Sequence, residues 1–411
     1  MNNLLGEHAV LAQLAIGHAP MLNAQRAVVG CRLSLSLQRP DAEVDGAAVV
    51  QVLRKVWPGG LKAATASGPA AFAIGTVALN VVGEPLLRAM LSALSQSPLP
   101  APFALEIPSF MLGDAEVTQA LLTAAAARQT LWLKGRVSTA TTPALAACFS
   151  RLLFDVDEPA PARRAGAGAV ATGLHSLAEM DAAFNQGAIA AAGWPLGEAP
   201  SPQGGRLKVG AEVQVVMELI RRIEREEPVE KLEATLKGDP ALAFRLLRYL
   251  NSAAFGLRVE ITSFRHALMM LGYQKLKRWL ALLLTSASTD ANLVPVMYAA
   301  VRRGLLMEEL GRTSGDADMR SEMFICGVFS LLDRMLKQPF DELLRSVPMP
   351  ERVARALVAE AGPFMPYLEL ARAVETGTAY ELRECSEALM LGAGEVNRAV
   401  LTALLAAQEL E

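Results

Sequence analysis

Apolar residues in the first half of the chain come in short runs separated by alanine-rich stretches, a pattern that predicts strands alternating with helices. Residues 28–37, 71–82, 103–107, 130–134 and 152–155 read as strands. Residues 46–56, 84–95, 114–127 and 176–185 read as the helices between them. Strand, helix, strand order predicts a parallel sheet, and six or more such units at this spacing favour a closed barrel over an open sheet. Beyond residue 205 the pattern becomes helical throughout. Residues 238–256 and 261–272 predict two helices with their punctuation: Gly238 closes a preceding helix, Asp239 N-caps the next, and Pro240 suits its first turn. Leu242, Leu246 and Leu250 then fall on one face, which must be buried against partners. Asn251 and Ser252 end that stripe with side chains able to bond free carbonyls or a neighbouring helix, and Thr262 or Ser263 caps the second helix.

Composition sharpens the division. Residues 1–200 hold 13 basic and 14 acidic side chains, whereas residues 201–411 hold 26 and 28, twice the charge in nearly equal length. Between the halves, residues 193–205 are dense in proline and glycine, as a linker would be, which places a boundary near residue 204 and predicts domains at 1–203 and 204–411. A length of 411 residues with 52% hydrophobic content suffices for two cores. The net charge of −3 with mixed signs offers no basic field for a phosphate backbone, so nucleic-acid binding is not expected. Cys31, Cys148, Cys326 and Cys385 lie far apart without a CxxC pair and read as small core residues of a reducing compartment, not as a zinc site. No basic segment precedes an apolar N-terminal run, and no stretch of about twenty apolar residues occurs. The expectation is a cytoplasmic protein without a membrane span.

The helical half resembles the HDOD domain, an all-helical output domain of bacterial signalling proteins related to the metal-dependent HD phosphohydrolases. Asp239-Pro240, Leu246-Leu247, Asn251-Ser252, Phe255-Gly256, Ala267 and Leu271-Gly272 carry the resemblance. It continues through Val301-Arg302-Arg303-Gly304 and the run from Phe324 to Asp333, to Val374-Glu375-Thr376-Gly377. The resemblance implies that Asp239, Asn251, Ser252, Arg303 and Asp333 mark the family's common core and a relict pocket. Read residue by residue, Asp239 caps a helix, Asn251 bonds across helices and Arg303 pairs with an acidic neighbour.

The first half resembles an EAL domain, a barrel family that hydrolyses cyclic di-GMP to a linear dinucleotide. The match rests on Gly17-His18-Ala19-Pro20-Met21-Leu22 with Val28-Val29-Gly30, on Val77-Ala78-Leu79-Asn80, and on Leu105-Glu106-Ile107-Pro108. The implied fold is an EAL-type, TIM-like α/β barrel followed by the HDOD helical bundle. Phosphodiester cleavage in that family needs carboxylates and an asparagine at strand ends to hold divalent cations, which activate water and neutralise charge developing on the phosphate.

By this resemblance the ligand set is broken. The signature Glu-Ala-Leu falls on Arg32-Leu33-Ser34, the Asp-Asp pair on Lys134-Gly135, and the late glutamate on His175, while the lysine expected near residues 152–155 is missing. A guanidinium in place of a carboxylate would repel a metal by several kcal/mol, an order-of-magnitude figure. Only Asn80 and Glu106 match the ligand pattern, and each has a bland alternative: Asn80 ends a strand, and Glu106 pairs with Arg32 or Lys134. Each of His8, His18, His175 and His266 precedes alanine or serine, so no His-Asp dipeptide exists, and only His266 lies in the helical half. No catalytic residue, metal or cofactor is therefore expected. The expected function is a catalytically inactive regulator in cyclic di-GMP signalling that contacts other signalling proteins and self-associates. The alternatives are a receptor for cyclic di-GMP, using Arg32, Lys134 and Arg136 for phosphate contacts, and a residual phosphodiesterase.

Overall fold

A computed structural model describes residues 9–56, 75–99, 103–136, 142–158, 168–197, 211–237, 290–340 and 349–408, with ten scattered helical positions between 265 and 281 and residue 343. The chain folds into two compact units, residues 1–197 with 372–401, and residues 198–371 with 402–411. Residues 372–401, far beyond the composition boundary near 204, thus pack within the first unit.

The first unit is a closed eight-stranded barrel in the order β1 to β8. Its strands are β1 (Leu14–Leu22), β2 (Val28–Leu37), β3 (Thr76–Val82), β4 (Phe103–Pro108), β5 (Thr130–Lys134), β6 (Phe149–Asp155), β7 (Gly168–Leu174) and β8 (Ala188–Gly193). Helices α1 (Gly46–Val56), α2 (Glu84–Gln96), α3 (Ala115–Ala126) and α4 (Pro143–Ala147) follow β2, β3, β4 and β5 in turn, and α5 (Leu177–Asn185) joins β7 to β8. α2 shows why the pattern gives a helix. Leu86, Leu87, Met90, Leu91 and Leu94 repeat at helical spacing and are buried, and Pro85 stands in the first turn. Asp114 caps α3 by accepting from the Val117 amide, and Ser176 with Glu179 forms a capping box on α5.

Strands β2 to β8 are parallel to their neighbours, as the alternation predicts, but β1 is antiparallel to both β2 and β8. The cause is local. A parallel pair needs a crossover of a dozen or more residues, whereas five residues join β1 to β2. Asn23 shapes that turn by accepting from the amides of Gln25 and Ala27, and Arg26 takes a left-handed φ of 63°. β1 therefore starts at the rim where its neighbours end: Leu14 pairs with Leu37. One side chain or more from every strand fills the interior, with Trp132 packed among Ala78, Ala104, Ala190 and Ala192 and the larger Met21, Leu153 and Val170.

The second unit is helical. It contains α6 (Ala211–Glu224), α7 (Val229–Lys237), α8 (Val294–Leu310), α9 (Ala317–Phe329), α10 (Leu332–Leu336) and α11 (Glu351–Val358). The backbones of α8 and α9 touch where both carry glycine. A Cβ on Gly327 would stand 2.5 Å from the Arg303 carbonyl, and one on Gly304 would stand 2.6 Å from Val328. The last helices are α12 (Met365–Thr376), α13 (Ala379–Ala388) and α14 (Ala393–Gln408). Among the described residues no single helix is long and apolar enough to cross a membrane.

Candidate functional site at the barrel mouth

Side chains two residues apart on a strand share a face, so the interior residues Ala78, Ala104, Trp132 and Leu153 predict the next layer toward the mouth. That layer holds Asn80 on β3, Glu106 on β4, Lys134 on β5 and Asp155 on β6. Arg32 on β2 pairs in register with Ala78 and reaches the same layer. Its Nε and Nη2 donate to the two Glu106 oxygens at 2.7 and 2.6 Å, a bidentate ion pair with the carboxylate 1% exposed. Asn80 donates through Nδ2 to Ser34 Oγ at 3.1 Å and accepts from Lys134 Nζ at 3.4 Å.

The electrostatics follow from this packing. Desolvation opposes the charge on Arg32, but Glu106, by attraction and hydrogen bonding, and Asp155 outweigh it and hold the guanidinium above its usual value. Lys134 moves the other way. Desolvation and then the Arg32 charge push its ammonium below the usual value, against the pull of Glu106 and Asp155. Arg136, just past β5, is exposed.

These contacts decide whether the residues fit a divalent cation. A metal needs free oxygen lone pairs, yet both oxygens of Glu106 are committed to Arg32, and Asn80 Oδ1 accepts from Lys134. Among the described residues no group of three or more His, Cys, Asp or Glu side chains is placed to hold an ion. The set does not fit a metal.

His175 lies one residue past β7, is exposed, and donates its backbone amide to Glu179 Oε2 at 2.7 Å. Its position is that of a helix-capping loop. Of the two pairings open to Glu106, the structure takes Arg32. Asp155 is a member of the layer that was not singled out from the sequence. Its signal was available, since it stands two residues past the interior Leu153.

In the helical unit, Asp239, Asn251 and Ser252 lie outside the described residues. Arg303 and Asp333 are both buried. Arg303 Nη1 donates to Ser330 Oγ at 3.1 Å, and that hydroxyl donates to the Gly327 carbonyl at 2.7 Å. Asp333 is 6% exposed, and its Oδ1 has no hydrogen-bond partner among the described residues. Desolvation raises its carboxyl above the usual range, although the Arg334 amide, Arg334 and Arg303 pull it down.

The chain is similar to two curated proteins. One is YuxH of Bacillus subtilis, 28% identical over 163 residues, which are 39% of this chain and 40% of that protein. The other is the cyclic di-GMP phosphodiesterase CdgJ of Vibrio cholerae, 27% identical over 180 residues, 44% of this chain and 39% of that protein. The matches thus span about two fifths of each relative's length. Among solved structures, the YkuI protein of B. subtilis, which has an EAL domain and was solved with cyclic di-GMP and calcium, aligns over 66% of this chain and 76% of its own. Its identity is 15% and its TM-score 0.31. Residues 211–336 match the HDOD domain family, so the chain carries an HDOD domain in its helical half, behind an eight-stranded closed barrel.

Proposed function

We propose that this protein is a regulator in signalling related to cyclic di-GMP, acting through protein contacts without hydrolysing a phosphodiester. The observation that carries this reading is the Arg32–Glu106 ion pair, in which a guanidinium fills the space and satisfies the oxygens that a metal would need. The similarity to the phosphodiesterase CdgJ and the HDOD match supply the signalling context. Without a hydrolytic step, the output is a change in packing that a partner reads, which requires only differential affinity for two states. Other signalling proteins and a second copy of this chain are the proposed partners, in the cytoplasm.

The test incubates the full chain with cyclic di-GMP and magnesium or manganese and separates the products. No linear dinucleotide is expected. Metal-dependent turnover that disappears in Glu106→Gln would overturn the reading. One observation favours a second reading, a nucleotide receptor: the Lys134 ammonium bonds the neutral Asn80 amide, and Arg136 is exposed just beyond it, so both cations are available to phosphate oxygens. Titration calorimetry with cyclic di-GMP separates the two, since absence of heat at high micromolar ligand removes the receptor.

A further inference from the structure

A closed barrel should pair each strand with two neighbours, yet β1 meets β8 only at Met21 and Leu22, the end away from the mouth. From Leu14 to Pro20 one edge of β1 has no strand beside it among the described residues, and an open edge leaves backbone donors and acceptors to be satisfied. Residues 372–401 satisfy two of them through the side chain of Asn397. Asn397 on α14 is 2% exposed; its Oδ1 accepts from the Ile16 amide at 3.1 Å. Its Nδ2 donates to the Leu11 and Leu14 carbonyls at 2.8 and 2.6 Å. Trp194, just past β8, donates through its indole N–H to the carbonyls of His18 at 3.0 Å and Glu375 at 3.1 Å.

Steric detail agrees with the hydrogen bonds. A Cβ on Gly17 would stand 3.0 Å from the Val374 carbonyl, and one on Gly394 would stand 3.5 Å from Ala12. Glycine at 17 lets two backbones approach, whereas the contact at Gly394 is ordinary van der Waals packing. Arg383 on α13 adds a longer bond, 3.5 Å, to the Gln38 carbonyl.

We propose that residues 372–401 are a strap that stands in for β8 along the mouth half of β1, latched by Asn397 and Trp194, and that it opens as a unit while strands β3 to β6 stay closed. The physical ground is the kind of bond involved. Asn397 contributes all three of its hydrogen bonds from a side chain, so one rotation of that side chain breaks the set, whereas each β3–β6 ladder is backbone to backbone with no such single release. The consequence reaches the mouth through register, because Ala19 on the strapped strand pairs with Arg32.

Hydrogen exchange on the full chain tests this in two arms. In the unmodified protein, the Ile16 amide and the Trp194 indole should exchange through an opening whose denaturant dependence is clearly smaller than that of β4 amides. Equal dependence means the strap opens only with the whole barrel and overturns the proposal. In Asn397→Ala, Ile16 should exchange about ten- to a hundredfold faster, as expected for lost buried bonds, with β3 to β6 unchanged. No change at Ile16, or equal acceleration everywhere, overturns it as well.

Discussion

Among the described residues each half of this protein buries one carboxylate, and the two are treated in opposite ways. Glu106 in the barrel is enclosed, but both its oxygens receive a guanidinium N–H. Asp333 in the helical unit is nearly as enclosed, yet one oxygen is left without a hydrogen bond among the described residues, and desolvation raises its carboxyl above the usual range. Burial alone therefore says nothing about whether an acidic group stabilises its surroundings. The partner decides.

The sharpest way to break this comparison is to remove one partner. Arg32→Ala leaves the Glu106 carboxylate buried without its counter-ion and should cost the barrel about 3–5 kcal/mol. Urea denaturation of the full chain measures this, and a loss below about 1 kcal/mol would mean that the pair is not the organising contact of the mouth. Removing both partners should behave differently. Arg32→Met combined with Glu106→Leu should be neutral or stabilising by about 1–4 kcal/mol in the same assay, because no stranded charge remains.

Asp333→Asn tests the other half. It relieves the unbonded charge and should raise stability of the helical unit by about 1 kcal/mol at neutral pH. The pH dependence has a fixed sign. Because the folded carboxyl titrates above its unfolded value, the folded state holds the extra proton, so stability is lost as pH rises through the folded value and gained on acidification. Denaturation at a series of pH values between about 7 and about 4 should show that gain in the parent chain and not in Asp333→Asn.

The smallest effect belongs to Asp114, which caps α3, bonds Arg88, and is held down to about 2 by Arg88 first and then by the Val117 amide. A depressed carboxyl contributes stability above its unfolded value that is lost as pH falls toward about 2. Asp114→Asn should flatten the acid limb of barrel unfolding below about pH 4, followed by circular dichroism.

Much of the barrel was legible because its signals are local. α1 and β2 follow their apolar patterns to the predicted ends, α2 runs one residue beyond its predicted end, and α3 is shorter than predicted by one residue at each end. The layer at the mouth was half legible. Asn80 and Glu106 were found through family resemblance, whereas Asp155 needed the interior parity of β6, which begins at Phe149, earlier than the apolar run suggested. The reversal of β1 was hidden behind the alternation of its neighbours, although the Asn23 turn that causes it is a short-range signal. Asn397 could not be read at all. It sits in an alanine-rich helix, and its partners are more than 380 residues away in sequence. Sequence periodicity carries which face of a helix is buried, not which distant carbonyl a lone amide will meet.

The reversed first strand carries a practical corollary for anyone attaching a probe. Leu14, where β1 starts, stands at the rim where β2 to β7 end, Lys134 included, and Ala9 is exposed at the head of the short 3-10 turn that leads into it. A fluorophore on Ala9→Cys would report from the Lys134 side of the barrel, and a bulky fusion placed there would crowd that side.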